Sequence, residues 1–341
     1  MDAVQTDDEL DELLSRPTDG VIAALRRCPG DVIVLGAAGK MGPSLAAMVH
    51  RACRQIGEGR NVTAVARFSD PAARQKFEAA GIRTIQCDLL DRGAVASLPD
   101  APNVIFMAGM KFGATGQEAM TWAMNAYVPA LVCEKYAHSR IVAYSTGNIY
   151  GLVPLGGGGS VESDEPNPVG DYAMSCLGRE RIFQHFALAH KTPVALFRLN
   201  YACECRYGVL ADLARKVWNR QPIDLAMGYF NVIWQGDAVA MSIQALEQAA
   251  SPAAAINVTG PEILRVRDVC ETFGRLMNRE VTFVGSESPQ ALLSNAGRAM
   301  ALFGRPRVSA EQLMQWIASW VSRGGRSLGK PTHFEVRDGK F

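Results

Sequence analysis

The stretch from Asp31 to Leu45, DVIVLGAAGKMGPSL, limits the fold of this chain more than any other. Val32, Ile33, Val34 and Leu35 form a short apolar, mostly β-branched run, the pattern of a strand buried on both faces of a parallel sheet. Gly36, Gly39 and Gly42 follow at a spacing of three, and a helix is expected from near Met41. Strand, glycine turn and helix in that order build a phosphate cradle. The first glycine makes the turn, the second admits a pyrophosphate, and the third lets helix and strand pack closely. The helix start adds free N–H groups and the positive end of its dipole. The stretch therefore predicts a bound dinucleotide against Gly36, Gly39, Lys40, Met41 and Gly42.

With 341 residues the chain can hold one large α/β domain and a smaller lobe. A formal charge of +1 with no basic block argues against nucleic acid as a partner. The eight cysteines are scattered and only Cys203 and Cys205 are close, so no metal-ligand set forms and reduced cytosolic thiols are expected. No apolar run is long enough to span a membrane, and the acidic N-terminus is unlike a secretory signal. The expectation is a cytoplasmic protein without membrane contact.

Residues 1–30 read as a helical extension. Thr6 with Glu9 makes a capping box before Leu10, Leu13 and Leu14, and a second helix spans Val21 to Arg27. A second strand, Asn61 to Ala66, delivers Arg67, where an acidic residue would hold the ribose of NAD and an arginine accommodates a 2′-phosphate. Lys40 is expected near the same pocket, and the pair favours NADP, with NAD as the alternative. Gly81 to Cys87 and Asn103 to Ala108 read as third and fourth strands, Arg140 to Ser145 as the fifth and Pro193 to Asn200 as the sixth. Strands and helices alternate at the pace of βαβ units, so the sheet should be parallel and doubly wound, Rossmann-type, with ligands beyond the carboxyl ends of its strands. The long loop from Leu155 to Gly170 is expected to lie over the site, ahead of a helix from about Asp171. Residues 31–200 form the expected dinucleotide domain. Residues 201–341 form the substrate lobe, with about 229–260 returning to the first domain. Tyr201 to Lys216, Asn219 to Met227 and Trp234 are expected along the substrate cleft. Helices are expected over Val266 to Met277 and Ala310 to Arg323, the latter opened by a Ser309–Gln312 capping box. His333 to Phe341 reads as an ordered tail, a strand or an arm.

From 31 to 304 the chain resembles the extended short-chain dehydrogenase/reductases, the NAD-dependent epimerase/dehydratase group. The resemblance rests on the three glycines; on Asp88, Met107-Ala108-Gly109 and Asn125; on Ser145-Thr146 with Tyr150-Gly151; and on Tyr172 with Glu180. Phe197 to Asn200, Asn231 to Asp237 and Ile256 to Gly260 are the later landmarks. The resemblance implies cofactor contacts from Asp88, Leu89, Ala108, Gly109 and Tyr172, and a homodimer built on the helices of Asn125 and Tyr172. It also implies Thr146 and Tyr172 as the catalytic hydroxyls, with a lysine four residues beyond the tyrosine.

That fourth residue is Cys176. A free tyrosine has a pKa of about 10, so bringing it near neutrality takes about 4 kcal/mol, and a neighbouring ammonium is the usual source. Residues four apart share a helix face, so Cys176 leaves the lysine's place without a cation. A cation from elsewhere can stand in, with Lys111 the candidate; the nicotinamide's own charge can suffice; or the chain binds its ligand without redox chemistry. A nucleophilic Cys176 has no histidine beside it in sequence.

Among nucleotide-sugar members, an asparagine three after the arginine and a second arginine before the later aspartate help hold the diphosphate. Here Asn200 lies two after Arg198, and Phe230 stands at the other position. A free sugar, sugar lactone or sugar acid fits these absences, with Lys111, Thr146, Asn148, Arg198, Asn200 and Trp234 as candidate contacts and Arg298 as a further cation. The expected activity is NAD(P)-dependent hydride transfer on a small carbohydrate-like substrate. An epimerase or dehydratase with retained cofactor and a redox-inactive dinucleotide-binding protein are the alternatives.

Overall fold

The computed structural model describes residues 4–57, 59–111, 116–330 and 332–339. Strands β1 (Val32–Leu35), β2 (Val62–Ala66), β3 (Arg83–Gln86), β4 (Asn103–Phe106), β5 (Arg140–Thr146), β6 (Val194–Leu199) and β7 (Ala254–Val258) form one seven-stranded sheet. Their spatial order is β7-β6-β5-β4-β1-β2-β3, and every neighbouring pair is parallel. The all-apolar β1 is central and wholly buried, with Val32 beside Val62 on one side and Asn103 on the other. Its polar counterpart β3, Arg83-Thr84-Ile85-Gln86, lies at the sheet edge with both ends exposed. The chain reverses its direction of travel across the sheet between β1 and β4, which opens a crevice at their carboxyl ends.

Helices cover both faces. On one, α3 (Gly42–Ile56) contributes Leu45, Met48 and Val49, and the Gln235–Gln244 helix adds Val239 and Ile243. On the other, Leu131 and Val132 pack with Phe183 and Ala187 of the Gly170–His190 helix. A separate cluster gathers Leu213, Val217, Phe273 and Trp316 from the C-terminal helices.

The N-terminal helix α1 (Asp7–Leu14) carries the expected capping box, and its Leu10 and Leu14 are fully buried in that C-terminal cluster. It is therefore part of the lobe's core, not a flank. Arg206 ties it down, meeting Asp7 at 2.9 Å, Asp11 at 2.7 Å and Glu204 at 3.1 Å. Ser309 caps the last helix by accepting from the Gln312 N–H at 3.1 Å; among the described contacts the reciprocal half of the box is missing.

Three expectations are corrected. The loop from 155 to 170 is no cover for the catalytic cavity: Ser160 and Glu162 bind it to Asn257, and Ser160 pairs with Ser294. Trp234 is buried with its ring 5.4 Å from that of Trp316, so it is lobe core and not a substrate contact. The segment from Asn219 to Met227 likewise stays out of the cavity lining. Of the C-terminal tail, Lys340 and Phe341 lie outside the described residues; the rest is an arm, with Phe334 buried against Phe230 and Thr332 bound to Asp212.

Candidate active site

The glycine turn follows directly from β1. Gly36 has φ +87°, and a Cβ there would stand 2.6 Å from the Ala108 nitrogen; at Gly42 a Cβ would run into the Ala37 carbonyl at 1.9 Å. These two glycines serve the fold itself. At Gly39 a Cβ would meet only the Gly36 oxygen, at an ordinary 3.4 Å. The protein's own packing leaves that position open, as a cradle for a pyrophosphate requires, and the α3 start beside it has no side-chain cap. These features fit a dinucleotide. Arg67 and Asp88 stand exposed after β2 and β3, where Asp88 accepts from the Leu90 N–H at 3.0 Å, and Leu89 and Ala108 are buried.

Lys40 corrects the expectation that put it near the adenosine 2′-phosphate. Its ammonium donates to the Ala202 carbonyl at 3.0 Å and lies 3.7 Å from the centre of the Tyr207 ring. It therefore reaches toward the C-terminal lobe. There it shares a cavity of about 160 Å³ with Lys111, Thr146, Asn148, Tyr172 and Asn200.

β5 delivers Thr146 to this cavity and the Gly170–His190 helix delivers Tyr172. Both side chains line the cavity, and Asn148 donates to Thr146 from its side chain at 2.9 Å. Burial pushes the Tyr172 phenol well above its ordinary pKa, with Cys176 acting the same way and Arg179 and Thr146 opposing it. Tyr172 is thus a neutral phenol across the neutral range, fit to donate a proton.

Cys176 is buried one turn further along, and burial raises its thiol pKa. A protonated, enclosed thiol is no nucleophile. Lys111 lies 5.6 Å from the centre of the Tyr172 ring, and burial lowers its ammonium to about 8. Its segment is fixed by Asn125, which accepts from the Met110 N–H at 2.9 Å and donates to the Met110 carbonyl at 3.0 Å. Asn125 itself sits in a π-helical turn, Ala123–Tyr127, an irregularity common at functional sites.

Arg179 is the functional residue that sequence reasoning passed over. It is 5% exposed and donates to the Tyr144 carbonyl at 2.8 Å and to Asn125 Oδ1 at 2.6 Å. Its neighbour Glu180 pairs with Arg198, so among the described ion pairs no carboxylate neutralises Arg179. A Cβ on Gly109 would stand 2.3 Å from its guanidinium, which places the charge directly beneath the crevice. The spacing held the signal: seven beyond Tyr172 and three beyond Cys176 is the same helix face. Thr332, which also lines the cavity, had no such signal.

Arg198 corrects another expectation. Its guanidinium grips Glu180 at 3.0 and 2.8 Å and also donates to Tyr150, while the Ser145 hydroxyl donates to the same carboxylate at 2.5 Å. With the pair 5% and 1% exposed, Arg198 is an internal strut outside the cavity lining. Asn200 lines the cavity while its amide donates to Asn231 at 2.8 Å. Arg298, on the surface of the Gly297–Phe303 helix, stays out of the cavity lining. Among the described residues no group of three or more potential ligands could hold a metal ion, and no helix is long and apolar enough to cross a membrane.

The model of the NAD-dependent epimerase/dehydratase family matches residues 32–257. No curated protein matches the chain in sequence. Among solved structures, UDP-glucuronic acid 4-epimerase from Bacillus cereus in complex with NAD is 17% identical with a TM-score of 0.71, covering 86% of this chain and 99% of that one. MoeE5 in complex with UDP-glucose and NAD is 20% identical with a TM-score of 0.69, over 86% and 99% of the two chains. Pal from Bacillus thuringiensis is 18% identical with a TM-score of 0.71, over the same shares of 86% and 99%. At these identities the likeness concerns the fold.

Proposed function

The chain belongs to the NAD-dependent epimerase/dehydratase family, and on that premise we propose that it is an NAD(P)-dependent oxidoreductase acting at one carbon of a carbohydrate-like substrate. The observation that carries the reading is that Thr146 and Tyr172 line one cavity together with Lys40 and Met41 of the glycine loop. Gly36, Gly39 and Gly42 would hold the dinucleotide, whose nicotinamide accepts or returns a hydride when bound. Tyr172 gives its proton to a carbonyl oxygen of the substrate, or takes one from the corresponding hydroxyl. Thr146 holds that same oxygen in line. Arg179, buried on the tyrosine's own helix face, lowers the cost of the phenolate, and Lys111 adds charge from the cavity side. Together they replace the ammonium that Cys176 does not supply.

The cofactor is read as NAD from the family; the finer preference for NADP rests on Arg67 alone, and titration of both dinucleotides decides it. A second reading, transient oxidation with retained cofactor, is favoured by the UDP-glucuronic acid 4-epimerase among the structural neighbours. Met120, Trp122 and Tyr127 are exposed near Asn125, and Met174 and Leu188 on the tyrosine helix. These residues suit a homodimer through the two helices, which sedimentation reads out.

The experiment is incubation with NAD or NADP and a panel of free sugars, sugar acids and nucleotide sugars, following NAD(P)H absorbance and product together. Net NAD(P)H supports the dehydrogenase. An epimer without net NAD(P)H transfers the account to the second reading, and tight dinucleotide binding without any product refutes both.

A further inference from the structure

Lys40 and Lys111 are the only charged side chains among the described residues that line the catalytic cavity, and no aspartate, glutamate or arginine joins them. Each ammonium is held below its ordinary range, to about 8, by burial, and Lys111 pushes Lys40 further the same way. Lys40, which is in none of the described ion pairs, is a buried ammonium whose cost an anion entering the cavity would relieve.

The acids closest to Lys40 are committed elsewhere. Glu204 is paired with Arg206 at 3.1 Å, and Asp212 accepts from the Thr332 N–H at 2.8 Å and its hydroxyl at 2.7 Å. Among the described ion pairs none includes Lys40; it rests on one neutral carbonyl and one aromatic face. The polar part of the remaining lining is hydroxyl and amide, with Thr146, Tyr172, Tyr201, Tyr207, Asn148 and Asn200, and Met41, Leu199, Ala202 and Val209 supply an apolar part. Such a wall suits several hydroxyl groups on one small molecule.

Size narrows the ligand further. The cavity of about 160 Å³ has the volume of roughly five liquid waters. Pockets for drug-sized ligands start at about 300 Å³. A single small sugar fits this space. Arginine forks, the planar grip suited to phosphate, are absent from the lining.

We propose that the substrate is a small polyhydroxylated carboxylate, an aldonate or uronate, whose carboxylate lies between Lys40 and Lys111 while Thr146 and Tyr172 take the reacting oxygen. The position of the reacting oxygen rests on the oxidoreductase reading; the anion site does not. Lys40 thereby sets specificity from within the glycine loop.

Calorimetric titration of the NAD-loaded protein tests this with matched pairs: D-gluconate against D-glucose, D-galactonate against D-galactose, and D-glucuronate against D-glucose. Glucose 6-phosphate and UDP-glucose complete the panel. At least one sugar acid should bind about tenfold or more tighter than its neutral twin, as a charged hydrogen bond implies. Lys40→Gln should weaken that binding by about tenfold, and Lys40→Arg should retain most of it. The proposal is overturned if neutral sugars bind as tightly, if no sugar acid binds, if the phosphate or UDP-glucose binds tightest, or if Lys40→Gln changes nothing. Following NADH in the same samples separates the two readings. Lysine-dependent binding of a sugar acid without NADH or epimer defeats the redox account alone. NADH from a neutral sugar, with no sugar acid bound, defeats the anion site alone.

Discussion

Arg198→Met removes a guanidinium from the interior and leaves the carboxylate it held. In the native protein Glu180 is 1% exposed and receives Arg198 at 3.0 and 2.8 Å, with the Ser145 hydroxyl at 2.5 Å. In the variant, Ser145 remains and the counter-charge is gone. Breaking a buried pair in this way costs about 3–5 kcal/mol, because the surviving charge stays desolvated. For a chain of this length that corresponds to a fall in Tm of about 4–7 °C. Thermal unfolding followed by circular dichroism reads this directly. The double variant Arg198→Met/Glu180→Gln should recover at least half of the loss, since an amide has no charge to strand. The folded single variant, assayed below its transition, should keep the wild-type affinity for sugar acids. An unchanged Tm combined with weakened ligand binding would refute the reasoning and return Arg198 to the substrate site.

Cys176→Lys places a third cation beside Arg179 and Lys111, so it should lower Tm and leave kcat no higher; a large gain in kcat would show that the native site lacks the charge assigned to it. Arg179→Met removes a cation seven residues along the helix from Tyr172, about 10 Å of rise and about 1.5 kcal/mol at an effective dielectric of about 20. Turnover should fall about tenfold and the pH profile of kcat should move up by about one unit, with Arg179→Lys retaining most of the activity. An unmoved profile would remove Arg179 from the account. Sugar-acid affinity should be full while Lys40 and Lys111 are ammonium and fall as pH rises above about 8. Cys203, Glu204 and Asp212 face Lys40 and Cys176 faces Lys111, and a bound anion delays the fall by favouring the charged lysines. Calorimetry in buffers of different ionisation enthalpy should show proton uptake on binding near that pH; an affinity independent of pH would contradict the anion site.

Most of the sheet was legible because its central strands are short apolar runs, and Val32 to Leu35 can be little else than a buried central strand; the polar edge strand β3 and the last strand β7 carry a weaker signal. The glycine turn was legible for the same local reason, whereas Thr146 and Tyr172, on separate elements, were legible through the family resemblance. What escaped was direction. Lys40 sits two residues from Gly42 yet reaches across to Ala202, a contact 162 residues away, which no local pattern encodes. Arg198 follows an apolar strand run and was open to either role, and only the position of Glu180 on a different element decides it. Leu10 and Leu14 gave a helix with one apolar stripe, but not the partner for that stripe, which lies more than half the chain away. Arg179 was visible on the right helix face; the absence of a carboxylate partner, which makes it useful, is a tertiary fact.

The central claim is that Tyr172 carries the proton in a dinucleotide-dependent reaction supported by cations other than the residue at position 176. Tyr172→Phe tests it most directly, with NAD affinity measured by calorimetry and NADH formation followed on addition of the tightest-binding sugar acid. The account predicts unchanged NAD binding and a rate lowered about a hundredfold or more, the scale of a lost general acid–base group. A variant that forms NADH as fast as the native protein would contradict it.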